Sequence, residues 1–461
     1  MNQAQFIAFC AAGPVLLDGA TGTNLQKAGM PAGVCPEQWI LDHPGILADL
    51  QLSYLRAGSS ILYTYTLGAN RIKLGGYKIP DSRCTVINRD LALISTAVRD
   101  QWLAAQAGQD TSADSRSSTG SRTILVAGDL APTGLFLAPA GDLSFDDLVD
   151  VYQQQAAGLL QAGVDLFVVE TMIDLAQARA AVLAIQSVSD LPIMASLTFE
   201  ENGRTLSGNH PLECLLTLAS MGVSAFGMNC SFGPEKLADL LLPLIAVSPI
   251  PLLVKPNAGM PRLVDGETVF PMDPFAFAAA MQPMLHAGIT LLGGCCGTGP
   301  EHLACLFDLL RKECGSGSEP REIPASADWS KMICSSRQSR LIDSPDLLPV
   351  IVCHDPARLA DDLTDILAEK PAAVILDLSA CPAGLLIDQL GEALEQVQMM
   401  AAVPLIFRDP DRQRLKKLLR IYHGRAGILA TESDVQASSR DISAFGGAVL
   451  FQLPASLSES S

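Results

Sequence analysis

A chain of 461 residues, 49% hydrophobic and only 17% charged, can bury a large core, which excludes global disorder. Its formal net charge of −18 repels nucleic-acid phosphates and anionic lipid, so neither is an expected partner. The opening MNQAQFIAFC has no basic flank and no apolar run reaches the ~20 residues of a membrane helix, so a cytoplasmic chain is expected, in which twelve cysteines are not a disulfide framework.

From residue 14 to about 310 one unit repeats: a short aliphatic strand ends in a polar or glycine-rich turn, and an amphipathic helical stretch follows. Strands are expected at 15–18, 60–65, 125–129, 166–170, 193–197, 225–229, 252–256 and 290–294, with helical periodicity at 47–57 and 145–162 between them. Near-continuous apolar strands alternating with helices imply a parallel sheet covered by helices, and eight such units imply a TIM (β/α)8 barrel over residues 1–311. An open doubly wound sheet is the second choice, but no GxGxxG follows the first strand. The polar stretch 109–121 reads as a surface loop, and 312–344 as a linker in which Trp329 pins part of the chain to a surface. Residues 345–461 form a smaller α/β domain with strands at 349–353, 373–378, 404–408, 427–430 and 448–453, too few for a second barrel, before a frayed tail.

In such a barrel, chemistry gathers at the C-terminal ends of the strands. The first strand ends in Asp18-Gly19-Ala20-Thr21-Gly22-Thr23, the fourth in Glu170-Thr171, the sixth in Asn229-Cys230 and the eighth in Gly293-Gly294-Cys295-Cys296-Gly297-Thr298-Gly299. Three cysteines thus converge on one face. Around Zn²⁺, three thiolates leave one tetrahedral position open, the layout of a catalytic site. Neighbours on a regular strand point to opposite faces, so Cys295 and Cys296 reach one metal only if the chain turns there, which the flanking glycines permit. The competing reading is a buried cysteine pair or a vicinal disulfide. Asp18 alone reads as a turn residue, and Glu170 as an ion-pair partner in the barrel mouth. Asn229 and Asn257 are strand-end residues that either shape turns or touch the site; Thr66 and Asn70 face the same mouth; His302 and the other nine cysteines are structural.

The segments LDGATGTNLQ, VVET (168–171), GRTLSG (203–208), GMNC (227–230), KPNAGMP (255–261) and GGCCGTGPEH (293–302) resemble the homocysteine S-methyltransferase family, in order and spacing, over residues ~14–310. The resemblance implies a TIM barrel that holds Zn²⁺ through Cys230, Cys295 and Cys296. It implies that Asp18 and Glu170 hold the α-amino group of homocysteine, and that the turns carrying Gly19, Thr21, Thr171 and Asn229 complete the substrate site, their amides taking the α-carboxylate. A metal-bound thiol is deprotonated, so homocysteine would attack a methyl group as thiolate and give methionine.

Donors differ within the family. A quaternary ammonium donor such as betaine needs an aromatic cage, and the matching positions are Val34/Cys35, Gly68 and Thr171, none aromatic. Glu170-Thr171 with Leu67-Gly68-Ala69-Asn70 looks more like the homocysteine-binding module of cobalamin-dependent methionine synthase. A methylcorrinoid is therefore the expected donor, on a separate protein: no DxHxxG is present, His354 preceding Asp355. The C-terminal region resembles part of a pterin-binding barrel in VPLIFRDPDRQRLKKLLRIYHGRAGILATES and FGGAVLFQL, a truncated part-barrel. Thr431 and Arg408-Asp409-Pro410 replace the polar groups such a site needs, so folate binding is not expected. The region should instead pack on the barrel's outer surface, on a second copy in a homodimer, or on a corrinoid protein. Two alternatives stay open: methyl transfer to another thiol or from S-methylmethionine, and a non-catalytic zinc-binding subunit of a corrinoid protein.

Overall fold

The computed structural model describes residues 1–109, 122–138, 140–264, 267–314, 329–381, 387–400, 402–430 and 448–452. The expected loop at 109–121 lies almost wholly outside them, as do Thr431 and the tail. Eight parallel strands form one sheet: β1 (Val15–Leu16), β2 (Ile61–Tyr63), β3 (Leu125–Leu130), β4 (Leu166–Met172), β5 (Ile193–Leu197), β6 (Ala225–Asn229), β7 (Leu252–Lys255) and β8 (Leu291–Leu292). Each pairs with its successor, and β8 pairs with β1. A parallel bridge from Leu17 to Ile61, with the Ser60 N–H donating to the Leu16 carbonyl at 2.7 Å, joins β1 to β2 and closes the barrel.

The strands are buried on both faces, which is why they read as continuous apolar runs. One cluster fills the barrel interior with Leu17, Ile61, Leu125, Ala127, Leu166, Val168, Met194, Ala225, Leu253 and Leu291. A larger one, including Val126, Phe167, Val169, Ala195 and Val254, lies between strands and helices. Phe6 and Cys10 belong to the interior cluster, so the helix Gln3–Ala11, not anticipated from the sequence, packs against the barrel core. Side chains alternate along a strand, so the inward rows Leu125–Ala127, Leu166–Val168 and Leu253 continue into Asp129, Glu170 and Lys255. The barrel interior is apolar below and polar at its mouth.

The helix Pro300–Cys314 continues into the stretch expected to be a linker, and the second half of that stretch is structured. Residues Met332–Cys334 (β9) and Ser339–Leu341 (β10) form an antiparallel hairpin, with Ile333 and Cys334 buried. Trp329 does pin this segment: the Arg425 guanidinium lies 3.9 Å from its ring centroid. Beyond it, β11 (Val350–Val352), β12 (Val374–Asp377), β13 (Leu405–Arg408), β14 (Ala426–Ala430) and β15 (Ala448–Gln452) make a parallel sheet in chain order. Helices cover one face. Ile333 and Ile342, from the hairpin and its flank, pack on the other. Of the expected docking surfaces, the structure shows the barrel's exterior. Arg179, fully buried on the helix Leu175–Gln186, donates from Nη2 to the carbonyls of Leu419 (2.8 Å) and Arg420 (3.1 Å). The Asn209 amide donates to the Ser336 carbonyl at 2.9 Å.

Candidate metal and substrate site

The chain leaves β6 through two non-glycine residues in the left-handed region, Cys230 (φ 58°) and Ser231 (φ 56°). Each such residue stores on the order of 1 kcal/mol, retained only where surroundings enforce it. Here the Cys230 N–H donates to the Lys255 carbonyl at 3.0 Å, fixing the turn to β7. After β8 the Cys295 N–H donates to the Pro256 carbonyl (2.7 Å), and the Cys296 carbonyl accepts from Ala258 (3.0 Å). Gly297 (φ 81°) and Thr298, whose N–H and hydroxyl both donate to the Cys295 carbonyl, close the turn.

This turn brings adjacent cysteines to one side. The sulfurs of Cys230, Cys295 and Cys296 lie within 4.8 Å of one another, with 3.9 Å between Cys230 and Cys296. A tetrahedral zinc with Zn–S bonds of about 2.3 Å sets sulfurs roughly 3.8 Å apart, so the three residues fit that ion. Hydrogen bonds from Cys295 and Cys296 hold the Cys230 thiol down at about 3. The bond to Cys230 pushes Cys296 up to about 12 and raises Cys295 as well. The three sulfurs thus titrate as one cluster, with Cys230 favoured as thiolate. Beside it, Asn257 hydrogen-bonds Cys230 through its side chain and keeps a buried, unpartnered Oδ1.

Next to the thiols lies the polar layer of the mouth. Lys255 Nζ is 2.8 Å from Asp18 Oδ1, 3.3 Å from Glu170 Oε1 and 3.6 Å from the Tyr63 ring centroid. Asp18 Oδ2 accepts the Tyr63 N–H at 2.7 Å. Burial pushes the carboxyls of Asp18 and Glu170 up, and Lys255 opposes it. Burial pulls the Lys255 ammonium down, but Asp18 and Glu170 outweigh it and hold the group well above its ordinary value. The Cys230 charge acts on Glu170 and that of Cys295 on Lys255, so thiols and carboxylates form one electrostatic unit.

The structure thus gathers Asp18, Glu170, Thr171, Asn229, Cys230, Cys295 and Cys296. Asn229 ties strand ends together, its Nδ2 donating to Thr171 Oγ1 (2.7 Å) and its Oδ1 accepting the Thr171 N–H (3.1 Å). Thr171 is itself left-handed (φ 58°). Its amide and that of Ala20, which donates to Thr298 Oγ1 at 3.1 Å, are engaged within the fold, so of the turn amides expected to take a carboxylate these two are already in use. At Gly19 a Cβ would stand 2.9 Å from Tyr54 atoms, so close packing alone requires glycine there. Thr21 starts the short helix Gly22–Lys27. Thr66 bonds the Asp129 carbonyl, Asn70 caps the helix Arg71–Gly76, and His302 accepts from the Gly299 N–H, so these three serve structure. Two residues of the mouth were not singled out from the sequence, Lys255 and Asp129. The signal in the sequence was partial: LLVK and LVAGD are apolar runs that end in a charge, which does not say that the charge points inward.

Residues 15–310 match the sequence profile of the family described as homocysteine S-methyltransferase. Proteins named methionine synthase from Mycobacterium leprae and Mycobacterium tuberculosis are each 31% identical, over 66% and 78% of this chain. The chain spans only 25% and 30% of their lengths. Among solved structures, the metallated form of the homocysteine methyltransferase MmuM from Escherichia coli aligns with a TM-score of 0.52 at 24% identity, covering 64% of this chain and 95% of that one. Its oxidized form gives 0.53 with the same identity and coverage. These two likenesses establish the barrel.

Proposed function

The chain belongs to the homocysteine S-methyltransferase family, and from that premise we propose that it transfers a methyl group to the thiol of L-homocysteine, with zinc held by Cys230, Cys295 and Cys296. One observation carries the reading: three sulfurs within 4.8 Å of one another at two strand ends, beside buried carboxylates at the barrel mouth. Zinc bound there would keep the substrate thiol as thiolate at neutral pH. The protein's own part is placement. Glu170, electrostatically coupled to Cys230, orients the substrate ammonium by charge-assisted hydrogen bonds. Asp18 anchors Lys255, and Asn229 holds the Glu170-Thr171 turn against β6. The low-dielectric mouth strengthens each of these contacts.

The donor in this reading is a methylcorrinoid, because Gly68 and Thr171 leave no aromatic cage for betaine. A second reading, methylation of another thiol, is favoured by the Lys255 ammonium lying between Asp18 and Glu170, where the substrate ammonium was expected. Assaying zinc-loaded protein with methylcobalamin, betaine and S-methylmethionine in parallel, each with L-homocysteine, tests the proposal. Methionine formed with methylcobalamin is the expected result; zinc-loaded protein inert toward homocysteine with all three donors would refute it.

A further inference from the structure

Three carboxylates, those of Asp18, Asp129 and Glu170, share the mouth of the barrel with Lys255. Asp18 is fully engaged, one oxygen by Lys255 and the other by the Tyr63 amide. Glu170 keeps only the 3.3 Å ion contact, and its Oε1 has no hydrogen-bond partner. Asp129 is 1% exposed and its Oδ1 has no hydrogen-bond partner among the described residues. After burial, the charge of Glu170 acts on Asp129 most strongly, then those of Lys255 and Asp18; Lys73, which also faces Glu37, acts least. Burial first, then the charge of Glu170, push the Asp129 carboxyl well above its ordinary value, so with one ammonium among the three groups it holds a proton that a second cation would displace.

Strand geometry says where the missing cation belongs. Asp129 ends the inward row of β3, and the register sets it opposite Val168, so Glu170 stands two residues nearer the mouth on the neighbouring strand. By strand rise that is roughly 6.6 Å, with Asp129 as floor and Glu170 as rim. We propose that Asp129 is a substrate-binding residue that, with Glu170, receives the α-ammonium, so that the site selects an amino-acid thiol over a thiol acid lacking the amino group. This rests on the homocysteine reading above and resolves its difficulty with Lys255, which stays with Asp18 while the substrate ammonium takes Asp129 Oδ1 and shares the Glu170 carboxylate with Lys255.

The test is calorimetric titration of zinc-loaded protein with L-homocysteine and with 4-sulfanylbutanoate, which keeps the thiol and carboxylate and lacks the amino group. Wild type should bind homocysteine more tightly. Asp129→Asn, nearly isosteric but uncharged, should weaken homocysteine by 10- to 100-fold and leave 4-sulfanylbutanoate within about twofold; Asp129→Ser serves the same comparison if the amide folds poorly. A variant that keeps wild-type selectivity, or loses both thiols equally, overturns the role of Asp129. A wild type that does not distinguish the two thiols would instead overturn the homocysteine reading itself.

Discussion

Lys255 Nζ lies 2.8 Å from Asp18 Oδ1, with both side chains at most 4% exposed. The pair links the end of β7 to the turn after β1, on either side of β8 in the closed barrel. Removing one partner of such a pair leaves a buried charge alone, which costs about 3–5 kcal/mol. Lys255→Met should therefore lower the thermal midpoint by several degrees, and adding Asp18→Asn should recover part of the loss. A Lys255→Met protein melting within about 2 °C of wild type would remove the pair from the stability argument.

The zinc turn makes a sharper distinction between two glycines. At Gly297, φ is 81° and a Cβ would stand 2.3 Å from Phe270. At Gly299 it would meet the movable tip of Glu301 at 3.0 Å, with Asn24 Oδ1 next at an ordinary 3.8 Å. Gly297→Ala should displace Cys296 and weaken zinc binding at least tenfold in a chelator competition, while Gly299→Ala should stay within about threefold. Equal affinities in the two variants would show that the turn does not set the sulfur geometry.

Strand positions were legible because β1 to β8 are buried on both faces and bounded by glycine or polar turns, and the cysteine cluster because Cys230 and the Cys295-Cys296 pair end strands with glycines around them. Three features were hidden for physical reasons. Residues 332–341 hide a hairpin behind a polar, glycine- and serine-rich approach. Lys255 and Asp129 each look like the ordinary polar end of a strand; only closure of the barrel aims both inward. The occupied amides of Ala20 and Thr171 depend on Thr298 and Asn229, contributed by distant turns.

The C-terminal sheet should not bind methyltetrahydrofolate. Among the described residues, two pairs of its strand-end polar groups satisfy one another: Arg408 holds Asp377 at 2.7 Å, and Asp409 binds Arg414 through both oxygens at 2.6 Å. A pterin ring would have to break these contacts, at about 1–3 kcal/mol for each group left unpaired. Titration of the full chain should show no saturable binding; micromolar affinity would overturn this.

The seam between barrel and C-terminal sheet should weaken in acid, and His423 is the group that reports it. Burial first, then the neighbouring Arg179 guanidinium, hold the His423 imidazole down at about 4 against an ordinary 6.5, with Asp174 opposing. A histidine depressed in the folded state is neutral there while the unfolded chain binds the proton, so its stability contribution is intact above pH 6.5 and is lost as pH falls toward 4. The loss should be about 1–2 kcal/mol after allowing for partial exposure of the side chain. Buried carboxyls such as those of Asp18 and Glu170, raised in the folded state, change stability in the opposite sense over the acid range, so the total curve is not diagnostic. The difference between wild type and His423→Gln isolates the imidazole. Thermal midpoints at pH 7.0, 5.5 and 4.5 should fall further in wild type than in the variant, most of the divergence arising below pH 6. Parallel curves for the two proteins would mean that His423 titrates normally and that the seam is wetter than its packing against Arg179 implies.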